Sequence, residues 1–509
     1  MADKKRIRRA LISVYHKEGI EKLLEMLHSY NVEFISTGGT FEFIRKKGYE
    51  VTRVEDTTSY PSILGGRVKT LHPKVFGGLL ARQEQKNDQE EISTYDIPLI
   101  DLVIVDLYPF EETLATTSKE EDIIEKIDIG GISLIRAGAK NYADVVTISS
   151  STQYEKLQNI IEKNEGSTTL KDRRSFAAEA FAVSSHYDTA IFNYFNREEN
   201  LSQFRHSEKQ HQPLRYGENP HQEGSFFGNL DNVFEKLHGK EISYNNLIDI
   251  DAAINLIQDY GDEPTFTILK HNNACGVATR PELPEAWKDA LAGDPVSAFG
   301  GILITNTVID QVTAEEMNKL FFEVILAPGY DEKALEILRK KKKRIILKKN
   351  NYQFSKKQFR SILNGLVEQD RDLKTESAEN FQIVTDSHPT DEQTEDLIFA
   401  NKVVKHSKSN AIVLVKNKQL LASGIGQTSR VDALKQAIDK AGNFNHNLQG
   451  AVMASDAFFP FADSVEIAKE AGIEAVVQPG GSIRDQESID YCNDNEMAMV
   501  FTGIRHFKH

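Results

Sequence analysis

Short apolar runs alternate with segments of helical period along much of this 509-residue chain, the pattern of an α/β protein. Ala10–Val14, the end of the strand-like Ile7–Val14, is short and apolar, and Ile20, Leu23, Leu24 and Leu27 then follow the spacing of one helix face. Val32–Ile35 reads as a second strand, entering the turn Ser36-Thr37-Gly38-Gly39-Thr40 and another helix. Leu102–Leu107 is a third strand, ending at Tyr108-Pro109. Strand, glycine-rich turn and helix in succession place backbone N–H groups and a helix N-terminus where an anion can sit. The pattern predicts an open, mostly parallel sheet with ligands at the strands' carboxyl ends.

Asn193–Gln212 is polar and poor in large aliphatics, which places a first domain at 1–195 and a linker at 196–212. A second α/β region fills 213–509, with strands at Thr265–Leu269, Gly300–Thr305, Ala411–Val415, Gln419–Ser423, Gly450–Ala454 and Ala475–Val477. The polar stretches Asp370–Asn380 and Thr385–Glu395 put a sub-domain boundary near 370–395, and two halves of similar layout fit this region.

Composition narrows the function classes. Hydrophobic residues at 40% and charged residues at 27% describe a globular chain with ample core. No apolar run approaches the ~20 residues of a membrane span, and the basic N-terminus leads straight into a strand without a secretory apolar region. The expected compartment is the cytoplasm, with no membrane partner. Two cysteines, Cys275 and Cys492, allow no disulfide framework and lack Cys-x-x-C spacing for zinc. A net charge of −15 argues against nucleic acid as a partner. The basic run Arg339–Arg344 follows the helix-like Glu332–Leu338 and reads as a solvated helix end.

An anionic small substrate then needs local basic pockets. Gly65-Gly66-Arg67-Val68-Lys69-Thr70-Leu71-His72-Pro73-Lys74 supplies one: two glycines admit close approach to the backbone, and Arg67, Lys69, Thr70, His72 and Lys74 bring cations and a hydroxyl. Ser13 and Lys17, at and just after the first strand's end, add a donor and a cation at the same edge. Tyr108 stands at a strand's carboxyl end. Asp128, in Ile127-Asp128-Ile129-Gly130-Gly131, is either an N-cap or a partly desolvated acid/base group. Lys140 follows Ala137-Gly138-Ala139, small residues that leave room for a ligand or mark a helix end.

In the second region the sharpest pair is Lys270-His271 at a strand end. A neutral imidazole takes a proton, while an adjacent ammonium stabilises developing negative charge. Arg215-Tyr216 opens a loop dense in recognition groups. Asn410, before an apolar strand, is an oxyanion donor or a turn residue. Phe458-Phe459-Pro460-Phe461 is core or a flat wall for a planar ligand.

Read together, STGGT at 36–40, GGRVKTLHP at 65–73, DLYPF at 106–110, KIDIGG at 126–131, RAGAKN at 136–141, LRYGENPHQ at 214–222, KHNNACG at 270–276, SAFGG at 297–301, SDAFFPF at 455–461 and FTGIRHFKH at 501–509 resemble one family in order. It is the bifunctional phosphoribosylaminoimidazolecarboxamide (AICAR) formyltransferase/IMP cyclohydrolase family, and the resemblance spans essentially the whole chain. It implies a methylglyoxal-synthase-like N-terminal domain and a C-terminal transformylase of two cytidine-deaminase-like α/β units. It implies formyl transfer from 10-formyltetrahydrofolate to AICAR, then closure of the product FAICAR to IMP. A homodimer with transformylase sites at the subunit interface is also implied.

Residue by residue, the resemblance assigns Lys69, Tyr108, Asp128 and Lys140 to ring closure. It gives Arg67, Thr70, Ser36, Thr37, Gly38, Gly39 and Thr40 to the nucleotide and its phosphate. Lys270, His271 and Asn410 belong to formyl transfer, with Arg215, Tyr216, Phe299, Glu323 and Phe461 around the substrates. Two positions depart from the family pattern: Ala274 stands where proline is commoner, and Tyr15-His16 replaces Ser-Asp ahead of Lys17. Neither deaminase-like unit has zinc-ligand spacing, so no zinc is expected; the family admits a structural alkali cation held by carbonyls. The competing readings are a phosphate-ligand lyase resembling methylglyoxal synthase, and a nucleotide or folate sensor without turnover.

Overall fold

A computed structural model describes Lys4–His509, which divide into two compact units, one ending at Lys209 and one spanning Gln210–His509. The N-terminal unit is built on five parallel strands: β1 (Arg9–Ser13), β2 (Glu33–Ser36), β3 (Thr52–Arg53), β4 (Leu102–Val105) and β5 (Val146–Ile148). Their order is β3-β2-β1-β4-β5. All four residues of β4 are buried, as a strand covered on both faces requires. Helix α1 (Glu21–Ser29) buries Leu23, Leu24 and Leu27, the face its spacing predicted. Helix α2 (Gly38–Lys46) follows β2, α3 (Gly130–Lys140) precedes β5, and α4 (Leu170–Glu199) is a 30-residue helix with a capping box at Thr169 and Asp172. Strand order reverses between β1 and β4, so a crevice opens at their carboxyl ends.

Helix α4 runs to Glu199, past the start of the stretch read as a linker. Its buried Phe176, Ala177, Ala180, Ser184 and Tyr187 explain this: packing fixes the inner part, and the polar end continues as an amphipathic extension.

The C-terminal unit holds a 12-stranded sheet made of two equivalent halves. The first contains β6 (Thr265–Lys270), β7 (Asn273–Thr279), β8 (Ile302–Thr305), β9 (Val324–Ala327) and β10 (Ile345–Lys349). The second contains β11 (Ile412–Lys416), β12 (Gln419–Gly424), β13 (Ala451–Ser455), β14 (Ile473–Gln478) and β15 (Ala498–Phe501). In each, a hairpin's first strand also pairs antiparallel with the third strand, and the last three strands run parallel. The halves join edge to edge where β7 meets β12, at Ala278 and Gln419.

Helices α5 (Tyr244–Ile257) and α7 (Asp391–Lys405) precede the two hairpins, and α6 (Leu283–Gly293) and α8 (Arg430–Asn443) follow them. One continuous core lies under α5 and α7 across both halves, while each half has its own core on the opposite face. Helix α7 begins inside the polar stretch Thr385–Glu395, its start set by a Thr390–Gln393 capping box. The basic run ends differently from the solvated helix end expected: Arg344 is buried, its guanidinium 4.1 Å from the Phe322 ring centroid and bonded to Asn318 Oδ1 at 2.9 Å. Burial lowers its pKa to about 10. Among the described residues no helix is long and apolar enough to cross a membrane.

Candidate active sites

Three chain segments meet at the crevice of the N-terminal unit. Gly65 and Gly66 take φ of 67° and 91°, values that favour glycine, and so turn the basic loop toward the helix N-termini. Lys69 reaches the start of α2: a Cβ added to Gly38 would lie 3.4 Å from its Nζ. Thr70 reaches the start of α3, its Oγ1 3.0 Å from where a Gly130 Cβ would be. Asp128 stands just before α3 and accepts the Gly131 N–H at 2.6 Å, a bond to the helix's first turn. Burial pushes the Asp128 carboxyl up, while N–H donors and Lys69 hold it down. Tyr108 is raised too, by burial and then by Asp128.

Tyr187 and Lys126, which the sequence reading did not single out, adjoin this crevice. Tyr187 of α4 accepts the Asp128 N–H at 2.9 Å and donates to the Lys126 carbonyl at 2.6 Å, fixing the turn before α3. The Lys126 ammonium lies 5.2 and 5.8 Å from the ring centroids of Tyr15 and Tyr108, which meet edge to face at 5.6 Å. His16 bonds Asp106 at 2.7 Å. The unusual Tyr15-His16 pair is therefore packed into the strand-end cluster.

Several expected ligand groups are committed within the protein. Ser36 donates to the Ile12 carbonyl at 2.7 Å, and Thr40 donates to the Val14 carbonyl at 2.9 Å while accepting the Val14 N–H at 3.1 Å. These hydroxyls clamp β1 to the α2 turn beside Ser13, at the end of β1. Lys17 donates to the carbonyls of Val14 and Tyr15, both at 2.7 Å. Arg67 is exposed and pairs with Glu125. That leaves the Thr37 hydroxyl, which makes no cap bond, and the first-turn N–H groups of Gly38 and Gly39, which have no partner within the helix.

Lys140 is not brought to this site. It ends α3, and Asp128 precedes the same helix, so roughly 15 Å of helix separates them. A helix that enters β5 runs from the sheet's carboxyl edge to its amino edge, which puts Lys140 at the wrong edge. The small residues before it have another cause: a Cβ on Gly138 would lie 2.6 Å from Thr147 Oγ1 and 2.7 Å from Val103 Cγ1, so glycine seats α3 on the sheet.

In the C-terminal unit, Lys270 and Asn273 pair across a two-residue turn, His271-Asn272, with φ of 51° and 66°. Both values are positive, as a type I′ hairpin demands. Lys270 donates to the Phe299 carbonyl at 2.6 Å, and Phe299, itself exposed, packs 5.1 Å from Phe321. The Asn273 side chain joins this turn to the next segment: its Nδ2 donates to the His271 carbonyl at 2.8 Å and its Oδ1 accepts the Lys408 N–H at 2.9 Å. Asn410 lies two residues on, donating to the Gln427 carbonyl at 3.0 Å and accepting from Arg430 at 2.9 Å. Arg430 also holds the buried Asp456 at 2.7 Å. His271 and Asn410 are thus tied into one cluster, and Asn273, Arg430 and Asp456 hold it together. Ala274 is an ordinary buried strand residue of β7.

The outlying candidates are not bonded to this cluster. Arg215 stacks over Tyr216 at 5.4 Å, and Glu323 pairs with Lys240. Phe461 is exposed under the Arg484 guanidinium at 4.9 Å, whereas Phe459 of the same aromatic run is fully buried in the core. Cys275 and Cys492 are buried and unpaired, and burial pushes both thiols up to about 12.

The family described as AICARFT/IMPCHase bienzyme matches residues 138–440, and an MGS-like domain matches residues 19–133. The bifunctional purine biosynthesis protein PurH of Bacteroides thetaiotaomicron is 63% identical over all of both chains. The chain belongs to the AICARFT/IMPCHase bienzyme family. PurH of Aquifex aeolicus is 47% identical over 98% of this chain and 100% of its own. PurH of Caldicellulosiruptor saccharolyticus is 44% identical over 99% and 100%. As a member of this family the chain is a bifunctional enzyme, an AICAR formyltransferase and IMP cyclohydrolase, with a formyltetrahydrofolate cosubstrate; these are the last two steps of IMP synthesis. The lyase and sensor readings give way to it.

Proposed function

We propose that the N-terminal parallel-sheet domain closes FAICAR to IMP and that the C-terminal region transfers the formyl group from 10-formyltetrahydrofolate to AICAR. The boundaries proposed are 1–195, a linker at 196–212, and 213–509 with a division near 370–395.

Ring closure requires the carboxamide nitrogen to attack the formamide carbonyl on the same ring, followed by loss of water. Much of the rate is positional, because both groups are held together covalently. Lys69 and Tyr108 stabilise the oxyanion, and Asp128, whose burial raises its pKa, moves protons. The free N–H groups of Gly38 and Gly39, with Thr37 and Thr70, hold the phosphate, and Lys69 beside Gly38 supplies charge.

Formyl transfer carries a weak amine, conjugated to the imidazole ring, onto a formyl carbon. His271 takes its proton; Lys270 and Asn410 stabilise the tetrahedral intermediate; the leaving N10 then gains a proton. The observation that carries this reading is the hydrogen-bonded chain from His271 through Asn273 to the Lys408–Asn410 segment. Arg215, Tyr216 and Glu323 bind substrate, and the exposed rings of Phe299 and Phe461 shape the nucleotide and folate pockets. A second copy of the chain covers these rings in a homodimer, and the enzyme is cytoplasmic. An alkali cation fits beside Asp456, whose buried Oδ2 has no protein partner.

A coupled assay tests the assignment. With AICAR and 10-formyltetrahydrofolate, the protein yields tetrahydrofolate and IMP; Lys69→Ala stops IMP formation and leaves tetrahydrofolate release intact. Unchanged cyclisation in folded Lys69→Ala overturns the N-terminal reading.

A further inference from the structure

The two halves of the 12-stranded sheet use one device twice. The sixth residue of the helix before each hairpin is an aspartate, Asp249 in α5 and Asp396 in α7. Each caps the two-residue turn of the hairpin that follows. The second turn, Asn417-Lys418, has φ of 53° and 50°, and so repeats the geometry of His271-Asn272. Even the ladder irregularity recurs in register, between Ile268 and Leu269 and between Leu414 and Val415.

The carboxylates differ in what they hold. Asp396 uses both oxygens, accepting the Asn417 N–H at 2.7 Å on Oδ2 and the Lys418 N–H at 2.6 Å on Oδ1. Asp249 uses Oδ1 alone, on the Asn272 N–H at 2.7 Å. The N–H it leaves out is the one belonging to His271. Its Oδ2 accepts no hydrogen bond among the described residues. A structural cap repeated in full on one side has released one oxygen on the side where the imidazole stands.

We propose that Asp249 is a positioning residue for formyl transfer: its Oδ1 fixes the turn that presents His271, and its free Oδ2 keeps a negative charge behind that turn, which offsets the imidazolium as His271 takes the amine proton. This rests on His271 being the base. The surrounding charges leave Asp249 in that role. Lys270 on β6 is turned to the Phe299 carbonyl, and Lys408 approaches the hairpin through its backbone N–H. On α5 itself, Asp251 is exposed and acts on Lys508. Strands β8 and Gly224–Phe227, which also pack on α5, carry no ionisable side chain. Burial pushes the Asp249 carboxyl up, and the Asn272 N–H and His271 hold it down.

Asp249→Asn keeps an acceptor for the Asn272 N–H and removes the charge. Without the anion, the imidazolium that forms as His271 takes the amine proton loses its counter-charge. The expected kcat falls about tenfold or more, the KM for AICAR changes less, and cyclisation of added FAICAR is unchanged. Asp249→Glu, which retains the charge and serves if the Asn variant fails to fold, keeps kcat near its native value. Asp396→Asn, the mirror control, lowers the melting temperature and leaves kcat and KM in place. An unchanged kcat in Asp249→Asn, or an equal loss in Asp396→Asn, overturns the proposal. If His271→Ala retains formyl transfer, the assignment of the base fails and this inference with it; if His271→Ala is inactive and Asp249→Asn keeps its kcat, only this inference fails.

Discussion

The two hairpins of the C-terminal unit share backbone geometry and differ in saturation. Around Asn417-Lys418 the charged groups answer one another: Lys418 pairs with Glu263 at 3.1 Å and Glu395 at 3.0 Å, and Arg280 donates to the Asn417 carbonyl at 2.6 Å. They line a cavity of about 580 Å³, yet its cations are occupied by the protein itself. Around His271-Asn272 the bonds stop short: the imidazole makes no hydrogen bond among the described residues, Asn272 Oδ1 is buried without a protein partner, and Asp249 keeps a free oxygen. Unmade bonds in an otherwise repeated frame set the proposed catalytic turn apart from its structural counterpart.

The largest effect should separate the hairpins outright. His271→Ala is expected to cut formyl transfer by about 10²- to 10⁴-fold without slowing FAICAR closure. Asn417→Ala, at the matching position, should leave both rates near native and cost about 1 kcal/mol, since alanine at positive φ is strained. Stopped-flow assays with thermal melts read both; comparable activity losses would break the comparison.

A second difference is the anchoring of the chain end beside the second half. His506 is buried between Asp372, at 2.6 Å, and Glu376, at 3.1 Å. Burial pulls the imidazole down, but the two carboxylates outweigh it and raise its pKa from 6.5 to about 9. A group raised on folding stabilises fully below its unfolded value and loses that contribution as pH rises through its folded value. The protein should lose roughly 3 kcal/mol of stability between pH 6.5 and about 9. His506→Leu should abolish that slope in denaturant titrations at several pH values.

A smaller effect sharpens the cap comparison. Asp396→Ala removes the acceptor of two turn N–H groups and is expected to cost about 2 kcal/mol, read as a lower unfolding midpoint. Asp249→Ala removes one and should cost about half as much, although its effect on formyl transfer is the greater.

Much of the architecture was legible because burial writes its period into the chain. The apolar runs at Leu102–Val105 and Thr265–Lys270 and the face Leu23, Leu24, Leu27 could serve only one geometry each. The site was legible in residue type and less so in commitment. Ser36, Thr40 and Lys17 carry the right groups for a phosphate, but backbone carbonyls already hold them, at the end of the neighbouring strand for the two hydroxyls and within its own turn for Lys17. Lys140 sits among small residues for a reason that lies in the sheet beneath it. Tyr187, Asn273 and Arg430 gave no local signal, because each acts on residues far along the chain.

By itself the sequence determined the α/β class, the glycine loop and its cations, the Lys270-His271 pair and the family to which they point. Periodicity, residue chemistry and motif order are properties of the chain and survive without coordinates. Tertiary structure alone decided which hydroxyls were already spoken for, which end of α3 faces the crevice, and which of two matching aspartates keeps an oxygen free. Those are questions of hydrogen-bond partners, and partners are chosen by distance in space, where residues far apart in sequence meet.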